Sequence, residues 1–151
     1  MFYYCPYCRN VYDGKALRIT DPYEYNTICP LATCNNDAFE IDEEMIVPIQ
    51  ILNEKGYWTR FCCSGHVYTD NSGGYLMFDT NKCRMPDTSP KGWYIDEMCI
   101  RYDSTKEELT PAERRKYVQR KINALVTWCE SLPEAEEPDP TQPRMIEIEA
   151  Y

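Results

Sequence analysis

Two short cysteine pairs near the N-terminus constrain this 151-residue chain more than any other feature. Cys5 and Cys8 are separated by two residues, and Cys29 and Cys34 by four. Both spacings are typical of the tight turns that present two thiolates to one tetrahedral metal ion. A closed set of four cysteines is structural far more often than catalytic, because no coordination position stays open. The sequence therefore predicts one structural zinc ion per chain, bound by these four cysteines.

The segment around the two pairs has the pattern of a zinc ribbon. A strand is expected at residues 16–19, inside the 20-residue insert between the pairs, and a short exit strand at residues 38–41. The insert would form the hairpin that brings the two cysteine turns together. We therefore predict a zinc ribbon over residues 1–41.

Composition excludes several broad classes of protein. A formal net charge of −9 argues against non-specific affinity for nucleic acid or anionic membrane, since both select basic surfaces. The nine cysteines are an odd number and include two pairs with metal-ligand spacing, which argues against a disulfide scaffold. The first residues, MFYYCPYC, do not have the pattern of a signal peptide, and no apolar run is long enough to span a membrane. The expectation is a cytoplasmic protein with no membrane partner.

After the ribbon, the pattern changes to a helix. Asp42 is expected to be its N-cap, followed by acidic residues in the first turn, where the helix dipole favours them. The buried face is expected to consist of Met45, Ile46, Ile49 and Leu52. Pro48 would remove a hydrogen bond beyond the first turn, so the helix either begins later than Asp42 or bends at Pro48. Gly56 is the expected terminator.

Strand patterns follow this helix. Residues 57–63, 67–69 and 75–78 are rich in aromatic and β-branched residues, with a turn sequence at 70–74. Residues 93–95 and 98–102 form either one bulged strand or two strands joined by a turn. Together with the helices, these strands predict an α+β fold in which the zinc ribbon packs on a mixed β-sheet with two helices. The ligand-binding core is expected to span residues 42–132.

The second helix has a strong start signal. Thr110 and Glu113 form a capping-box pattern, with Pro111 at the first helical position, and the helix should end near Ser131. The apolar face comprises Val118, Ile122, Leu125, Cys129 and Leu132. A basic run at residues 114–121 is either a solvated face or a basic rim for a phosphate-bearing ligand. Residues 133–143 are acidic and proline-rich, as in a linker, and residues 145–149 alternate as in a half-buried strand, so a linker and a docked C-terminal strand are expected over 133–151.

The sequence Cys63-Ser64-Gly65-His66 lies between two expected strands and contains the only histidine of the chain. A ligand-binding corner is one interpretation. Gly65 permits a ligand to approach the backbone closely, and Ser64 can donate a hydrogen bond to it. His66 is a further hydrogen-bond donor, and it titrates near neutral pH. The expected ligand residues are Cys63, Ser64, Gly65 and His66, with Arg60 nearby.

Three other interpretations of this corner remain open. Cys63 and His66 could form a second metal site with Cys83 and Cys99, or a nucleophile and its base. The third is a turn in which Cys62 packs as a small apolar residue.

Residues 49–78 resemble the core of the tRNA wybutosine-synthesis methyltransferase family. The shared features are Leu52-Asn53, Thr59, Cys63-Ser64-Gly65 and Gly74-Tyr75. His66 stands where that family has an arginine, and Cys62 replaces its first serine. The resemblance implies an S-adenosylmethionine-dependent enzyme acting on tRNA. The chain as a whole also resembles small zinc-ribbon proteins of bacteria and phages that carry a Cys-Ser-Gly-His motif, which implies an architecture and no activity.

Taken together, these patterns favour a zinc-ribbon binding protein whose ligand at the corner is a nucleotide-like small molecule or an RNA segment. Two alternatives follow from the resemblances: a methyltransferase-like enzyme, and a phage-encoded inhibitor that binds a host factor or a signalling nucleotide. No glycine-rich phosphate loop supports a nucleotide site of the Rossmann or P-loop type.

Overall fold

The computed structural model describes residues 2–14, 27–65, 73–105 and 107–143, and this part of the chain is an α+β fold. Its strands are β1 (Phe2–Cys5), β2 (Asn10–Asp13), β3 (Thr27–Ile28), β4 (Asp37–Ile41), β5 (Thr59–Cys63), β6 (Gly74–Phe78), β7 (Tyr94–Asp96) and β8 (Cys99–Tyr102). Its helices are α1 (Ile46–Glu54) and α2 (Pro111–Ser131).

The described strands form two antiparallel sheets instead of the mixed sheet that the sequence predicted. The first has the order β2-β1-β4-β3 and the second the order β5-β6-β8-β7. Parallel neighbours within a sheet require a long crossover connection, usually a helix. The helix available for that role, α1, instead connects β4 of the first sheet to β5 of the second.

The start of α1 resolves the conflict between Asp42 and Pro48. Residues Glu43–Met45 form a 3-10 turn, and the α-helix begins only at Ile46. Pro48 is therefore the third residue of the helix, where its backbone nitrogen has no intrahelical acceptor to lose. The side chain of Asp42 makes no capping hydrogen bond, so its predicted role as N-cap of this helix was wrong.

The end of α1 is the glycine stop that the sequence predicted. Gly56 has φ +88°, a conformation that side chains disfavour. Its amide donates to the carbonyl of Asn53 at 3.0 Å, and the amide of Tyr57 donates to the carbonyl of Leu52 at 2.9 Å. This pair of bonds is a Schellman motif, which satisfies carbonyls at the helix end.

The structure decides one alternative that the sequence left open and confirms one prediction from local sequence. Residues 94–102 form two strands, β7 and β8, joined by a two-residue turn in which Glu97 has φ +53°. The helix α2 begins at Pro111 with a complete capping box: the hydroxyl of Thr110 accepts from the amide of Glu113, and the carboxylate of Glu113 accepts from the amide of Thr110.

The main core lies between the second sheet and the two helices. Leu76, Phe78 and Ile100 on the sheet face Met45, Ile49 and Leu52 around α1. The α2 side is closed by the predicted apolar face, Val118, Ile122, Leu125, Cys129 and Leu132, together with Trp128.

The first sheet has two different faces. Tyr4 and Ile41 point into the main core, whereas Cys5 and Ala38 belong to a separate small cluster with Cys29. This alternation follows from the two-residue period of β-strands. The second face therefore contains the cysteines, and its fully buried part, counted over the residues that the structure describes, is much smaller than the main core.

The acidic, proline-rich segment 133–143 lies along the body. Its carbonyls and amides bond to other parts of the chain: Ala135 donates to the carbonyl of Lys55 at 2.7 Å, and Arg84 donates to the carbonyl of Glu136 at 3.0 Å. The Gln142 side chain bonds both backbone groups of Met85, at 2.8 and 2.9 Å.

Several predicted features lie outside the described residues: the strand at 16–19, the strand at 67–69 with His66, and the C-terminal strand at 145–149. Among the helices of the described chain, neither combines the length and the apolar character needed to cross a bilayer.

Candidate metal centre

The first cysteine turn connects β1 to β2. Cys5 is the last residue of β1, and the amide of Arg9 donates to the carbonyl of Cys5 at 2.7 Å, which closes the turn. Arg9 has φ +64°, in the left-handed region that few non-glycine residues adopt. This tight reversal places Cys5 and Cys8 on the same side of the chain.

The second turn has the same construction. The amides of Cys34 and Asn35 both donate to the carbonyl of Leu31, at 3.0 and 3.1 Å, and Asn35 has φ +56°. The amide of Cys29 donates to the carbonyl of Asn36 at 2.7 Å. Each turn thus ends in a left-handed residue that directly follows its second cysteine.

The two turns bring the four thiols into one cluster. The Sγ atoms of Cys5, Cys8, Cys29 and Cys34 all lie within 4.8 Å of one another. The Cys5–Cys34 and Cys8–Cys29 Sγ pairs are 3.6 and 3.5 Å apart, too far for disulfides, whose sulfurs are about 2.05 Å apart. Four sulfurs placed about 2.3 Å from a central zinc ion in a tetrahedron are about 3.8 Å from one another. The cluster has this size and could hold a metal ion.

Polar side chains surround the sulfurs. Asn10 donates to the Sγ of Cys8 at 3.6 Å, and Asn36 donates to the Sγ of Cys34 at 3.4 Å. The Tyr12 hydroxyl lies 3.4 Å from the Sγ atoms of both Cys8 and Cys29. Groups of this kind orient metal ligands and stabilise thiolates.

The pKa values of the thiols are consistent with a cation-binding site. Burial raises the pKa of Cys5 to about 12 and also raises the pKa of Cys29. At Cys34 burial acts in the same direction, but hydrogen bonds with Asn36 and with the Cys5 and Cys29 thiols together outweigh it and lower the pKa to about 7. Cys5 and Cys29 are therefore costly to ionise by themselves, and a bound divalent cation would offset that cost.

No family model, curated protein or solved structure matches this chain.

Arg9 joins the first cysteine turn to the body of the protein. Its guanidinium donates to the carbonyls of Asn53 and Tyr57, at 2.6 and 3.1 Å, at the end of α1. The Asn53 amide group donates back to the carbonyl of Arg9 at 3.2 Å. The same guanidinium lies 4.4 Å from the ring centre of Trp58, within the range of a cation–π contact.

The Cys-Ser-Gly-His corner was the predicted ligand site. Its described part, residues 63–65, is held in place by hydrogen bonds to other residues of the protein. Ser64 donates through both its amide and its hydroxyl to the carboxylate of Asp42, at 2.8 and 2.9 Å. The Tyr102 hydroxyl donates to the carbonyl of Ser64. Ser64 is 4% exposed, and Gly65 has φ +95°. Asp42 and Tyr102 therefore fix the backbone of this corner, while His66 lies outside the described residues.

The other residues predicted around the corner have separate surroundings. The Arg60 guanidinium lies 5.3 Å from the ring centre of Tyr7, in the first cysteine turn. Cys83 lies in the main core, where its Sγ accepts from the amide of Trp58 at 3.2 Å. Burial raises the pKa of Cys63, which disfavours the thiolate that a nucleophile requires.

Within the described residues, the only group of three or more metal-ligand side chains close together is Cys5, Cys8, Cys29 and Cys34. The second site suggested for Cys63, Cys83 and Cys99 is therefore not assembled by the described residues alone, and His66 is not among them.

Sequence reasoning identified the cysteines but missed their neighbours. A signal was present: an asparagine stands two residues after the second cysteine of each pair, Asn10 after Cys8 and Asn36 after Cys34. The contribution of Tyr12 depends on the pairing of β1 with β2, and no local pattern indicates it.

Proposed function

We propose that residues 1–41 form a zinc ribbon in which Cys5, Cys8, Cys29 and Cys34 bind one structural Zn²⁺. The observation that carries the proposal is the convergence of four Sγ atoms within 4.8 Å from two separate turns of the chain. An all-sulfur, tetrahedral donor set suits zinc or an iron–sulfur centre, and single-ion Cys₄ sites of this spacing are most often zinc.

The burial of the site supports a structural role. Cys5 is completely buried and Cys29 is 2% exposed, and four protein ligands complete a tetrahedron without room for a substrate. The zinc would hold the two turns together, and its charge would stabilise the buried thiolates.

The size of the local core explains why this face would need a metal. Among the described residues, those fully buried in the cysteine cluster are Cys5, Cys29 and Ala38, and two of these three are proposed metal ligands. So small a core supplies little hydrophobic stabilisation, whereas zinc binding in such modules supplies folding free energy directly.

The test is the metal content of the full-length protein, purified without added chelator. We expect one zinc per chain by elemental analysis and by native mass spectrometry. The Cys5→Ser variant should lose most of its zinc, while Cys63→Ser, a half-buried cysteine outside the cluster, should retain it. A protein that contains no zinc after purification, and that takes up none when zinc is added under reducing conditions, would contradict the proposal.

The ligand predicted for the Cys-Ser-Gly-His corner stays a prediction. Asp42 already engages both donors of Ser64, so a ligand there would rely on His66 and on the backbone around Gly65. Binding of a panel of nucleotides and tRNA to the His66→Ala variant tests it, and unchanged binding would remove this corner from consideration.

A further inference from the structure

The helix α2 carries a basic flank on a strongly acidic protein. Five cations stand in its first half: Arg114, Arg115, Lys116, Arg120 and Lys121. The only acidic residues in the helix are Glu113, in the capping box, and Glu130, near its end. Since the whole chain has a formal net charge of −9, this segment is a local exception.

Part of this flank lines an open groove against the turn that precedes β7. We call this the basic groove; its described lining residues are Lys91, Gly92, Tyr117, Arg120, Lys121 and Ala124. Its volume is about 440 Å³, within the range of roughly 300–1,000 Å³ that is typical of small-molecule sites. Three of these residues are cations, and none of the described lining residues carries a carboxylate.

The positions of the groove walls are fixed by specific contacts. The ammonium of Lys121 donates to the carbonyl of Gly92 at 3.1 Å and lies 5.2 Å from the ring centre of Tyr117. The Trp93 indole donates to the carbonyl of Lys121 at 3.0 Å, which joins the turn to the helix. Lys121 is therefore held at the groove, while Arg120 and Lys91 are exposed at its edge.

Gly92 suits this arrangement. It has φ +81°, and a Cβ atom built on it would lie 2.6 Å from the ammonium of Lys121. A side chain at this position would be strained by the backbone conformation and would require the Lys121 ammonium to shift. The glycine therefore has a role at the groove in addition to its role in the turn.

A second groove adjoins the first and shares Tyr117 and Arg120 with it. It has a volume of about 490 Å³, and its further described lining residues are Thr105, Glu107, Leu109, Glu113 and Lys116. Carboxylates and hydroxyls accept hydrogen bonds from sugar hydroxyls and base amino groups. The basic groove is therefore suited to phosphates, whereas the second groove offers the carboxylates of Glu107 and Glu113 and the Thr105 hydroxyl, beside Lys116, to the hydroxyl and amino groups of a sugar and base.

We propose that the basic groove binds the phosphate groups of a nucleoside di- or triphosphate, with Lys91, Arg120 and Lys121 as the phosphate contacts and the sugar and base directed toward Thr105 and Glu107. A mononucleotide is favoured over a nucleic acid, because Glu107 and Glu113 in the adjoining groove would repel an extended phosphate backbone. This inference goes beyond zinc binding and does not depend on it.

The experiment is calorimetric titration of the full-length, zinc-loaded protein at constant ionic strength. The ligands are ATP, GTP, AMP, inorganic tripolyphosphate and a short single-stranded oligonucleotide. We expect the triphosphates to bind, and AMP to bind at least about tenfold more weakly, because fewer charge-assisted hydrogen bonds form.

Two variants of the same helix give the control. Arg120→Gln should weaken triphosphate binding about tenfold through loss of a charged phosphate contact. Arg115→Gln removes the same charge from an exposed position of α2 that lines neither groove, and it should have little effect. Far-UV circular dichroism should be unchanged in both, since each side chain is exposed.

Four outcomes would overturn the proposal. The first is absence of phosphate binding at millimolar concentration, and the second is an equal loss in Arg115→Gln, which would indicate non-specific attraction to the helix. If tripolyphosphate binds as tightly as ATP, the groove recognises phosphate without the nucleoside, and the assignment to nucleotides fails. Preference for the oligonucleotide would replace a small-molecule site by a nucleic-acid surface. None of these results bears on the zinc content.

Discussion

Lys55 provides the sharpest test of how the two helices are held together. It follows the last residue of α1, and its ammonium donates to three carbonyls at the end of α2: Cys129 at 2.9 Å, Glu130 at 2.6 Å and Leu132 at 2.6 Å. The last turn of α2 contains no basic residue of its own. Lys55 therefore supplies, from another helix, the cation that the negative end of the α2 dipole favours.

The stability that the Lys55 ammonium contributes can be estimated from these contacts. Two of the three bonds are part-buried, and a hydrogen bond to a charged group contributes about 1.5–3 kcal/mol. The third acceptor, on Glu130, is exposed and would be rehydrated. Using the lower value for the two part-buried bonds, we expect the Lys55→Met variant to lose about 3 kcal/mol of unfolding free energy. For a chain of this size that loss lowers the melting temperature by about 6–12 °C.

The assay is urea denaturation with excess zinc present, so that metal loss does not contribute. Methionine preserves most of the aliphatic stem of Lys55, so packing should change little. Lys91→Met, at an exposed lysine away from any helix end, is the matched control and should change the free energy of unfolding by less than about 0.5 kcal/mol. If Lys55→Met cost no more than Lys91→Met, the reasoning about the α2 end would be refuted.

Two further predictions concern the cysteine turn and the start of α2. Removing zinc with a chelator should shift the Trp58 fluorescence emission to longer wavelength, because the Arg9 guanidinium moves away from the indole. The shift should be missing in the Trp58→Phe variant. If the wild type releases zinc without this shift, the coupling between the metal site and the Arg9–Trp58 contact is disproved. The Thr110 hydroxyl and amide lower the pKa of Glu113, so Glu113 stabilises the fold above its unfolded pKa of about 4.3, and this contribution is lost as the pH falls through the lower folded value. The difference in melting temperature between wild type and Glu113→Gln should therefore change across this acidic range, and a constant difference would contradict the assignment.

Features that depend on neighbouring residues could be predicted from the sequence. The capping box at Thr110 and Glu113 and the glycine stop at Gly56 each rest on hydrogen bonds between residues a few positions apart. The later start of α1 was one of two open alternatives, and the position of Pro48 decided it. These predictions were successful because local backbone geometry limits which residues can occupy such positions.

The candidate metal centre was also predictable, for a related reason. Two closely spaced cysteine pairs need only two tight turns and one meeting point to form a tetrahedral set. Asn10 and Asn36, which donate hydrogen bonds to the cysteine sulfurs, each stand two residues after the second cysteine of a pair. This shared spacing is a signal in the sequence itself. Tyr12 was not, because its contact with two sulfurs arises from strand pairing.

The corner at Ser64 shows the opposite case. Asp42 had the pattern of a helix cap, yet its carboxylate bonds Ser64, 22 residues away along the chain. A carboxylate can accept hydrogen bonds from a nearby helix amide or from a distant serine equally well. Which of the two donors it bonds depends on how α1 packs against β5.

The two cysteine turns, the glycine stop of α1, the start of α2 and the class of the fold could be predicted from the sequence alone, because these depend on local geometry and hydrophobic period. The tertiary structure decided the division into two antiparallel sheets, the bond from Asp42 to Ser64, the seating of Lys55 on the end of α2 and the groove beside Gly92. Each of these joins residues far apart in the chain, and its free energy depends on which surfaces meet when the core closes.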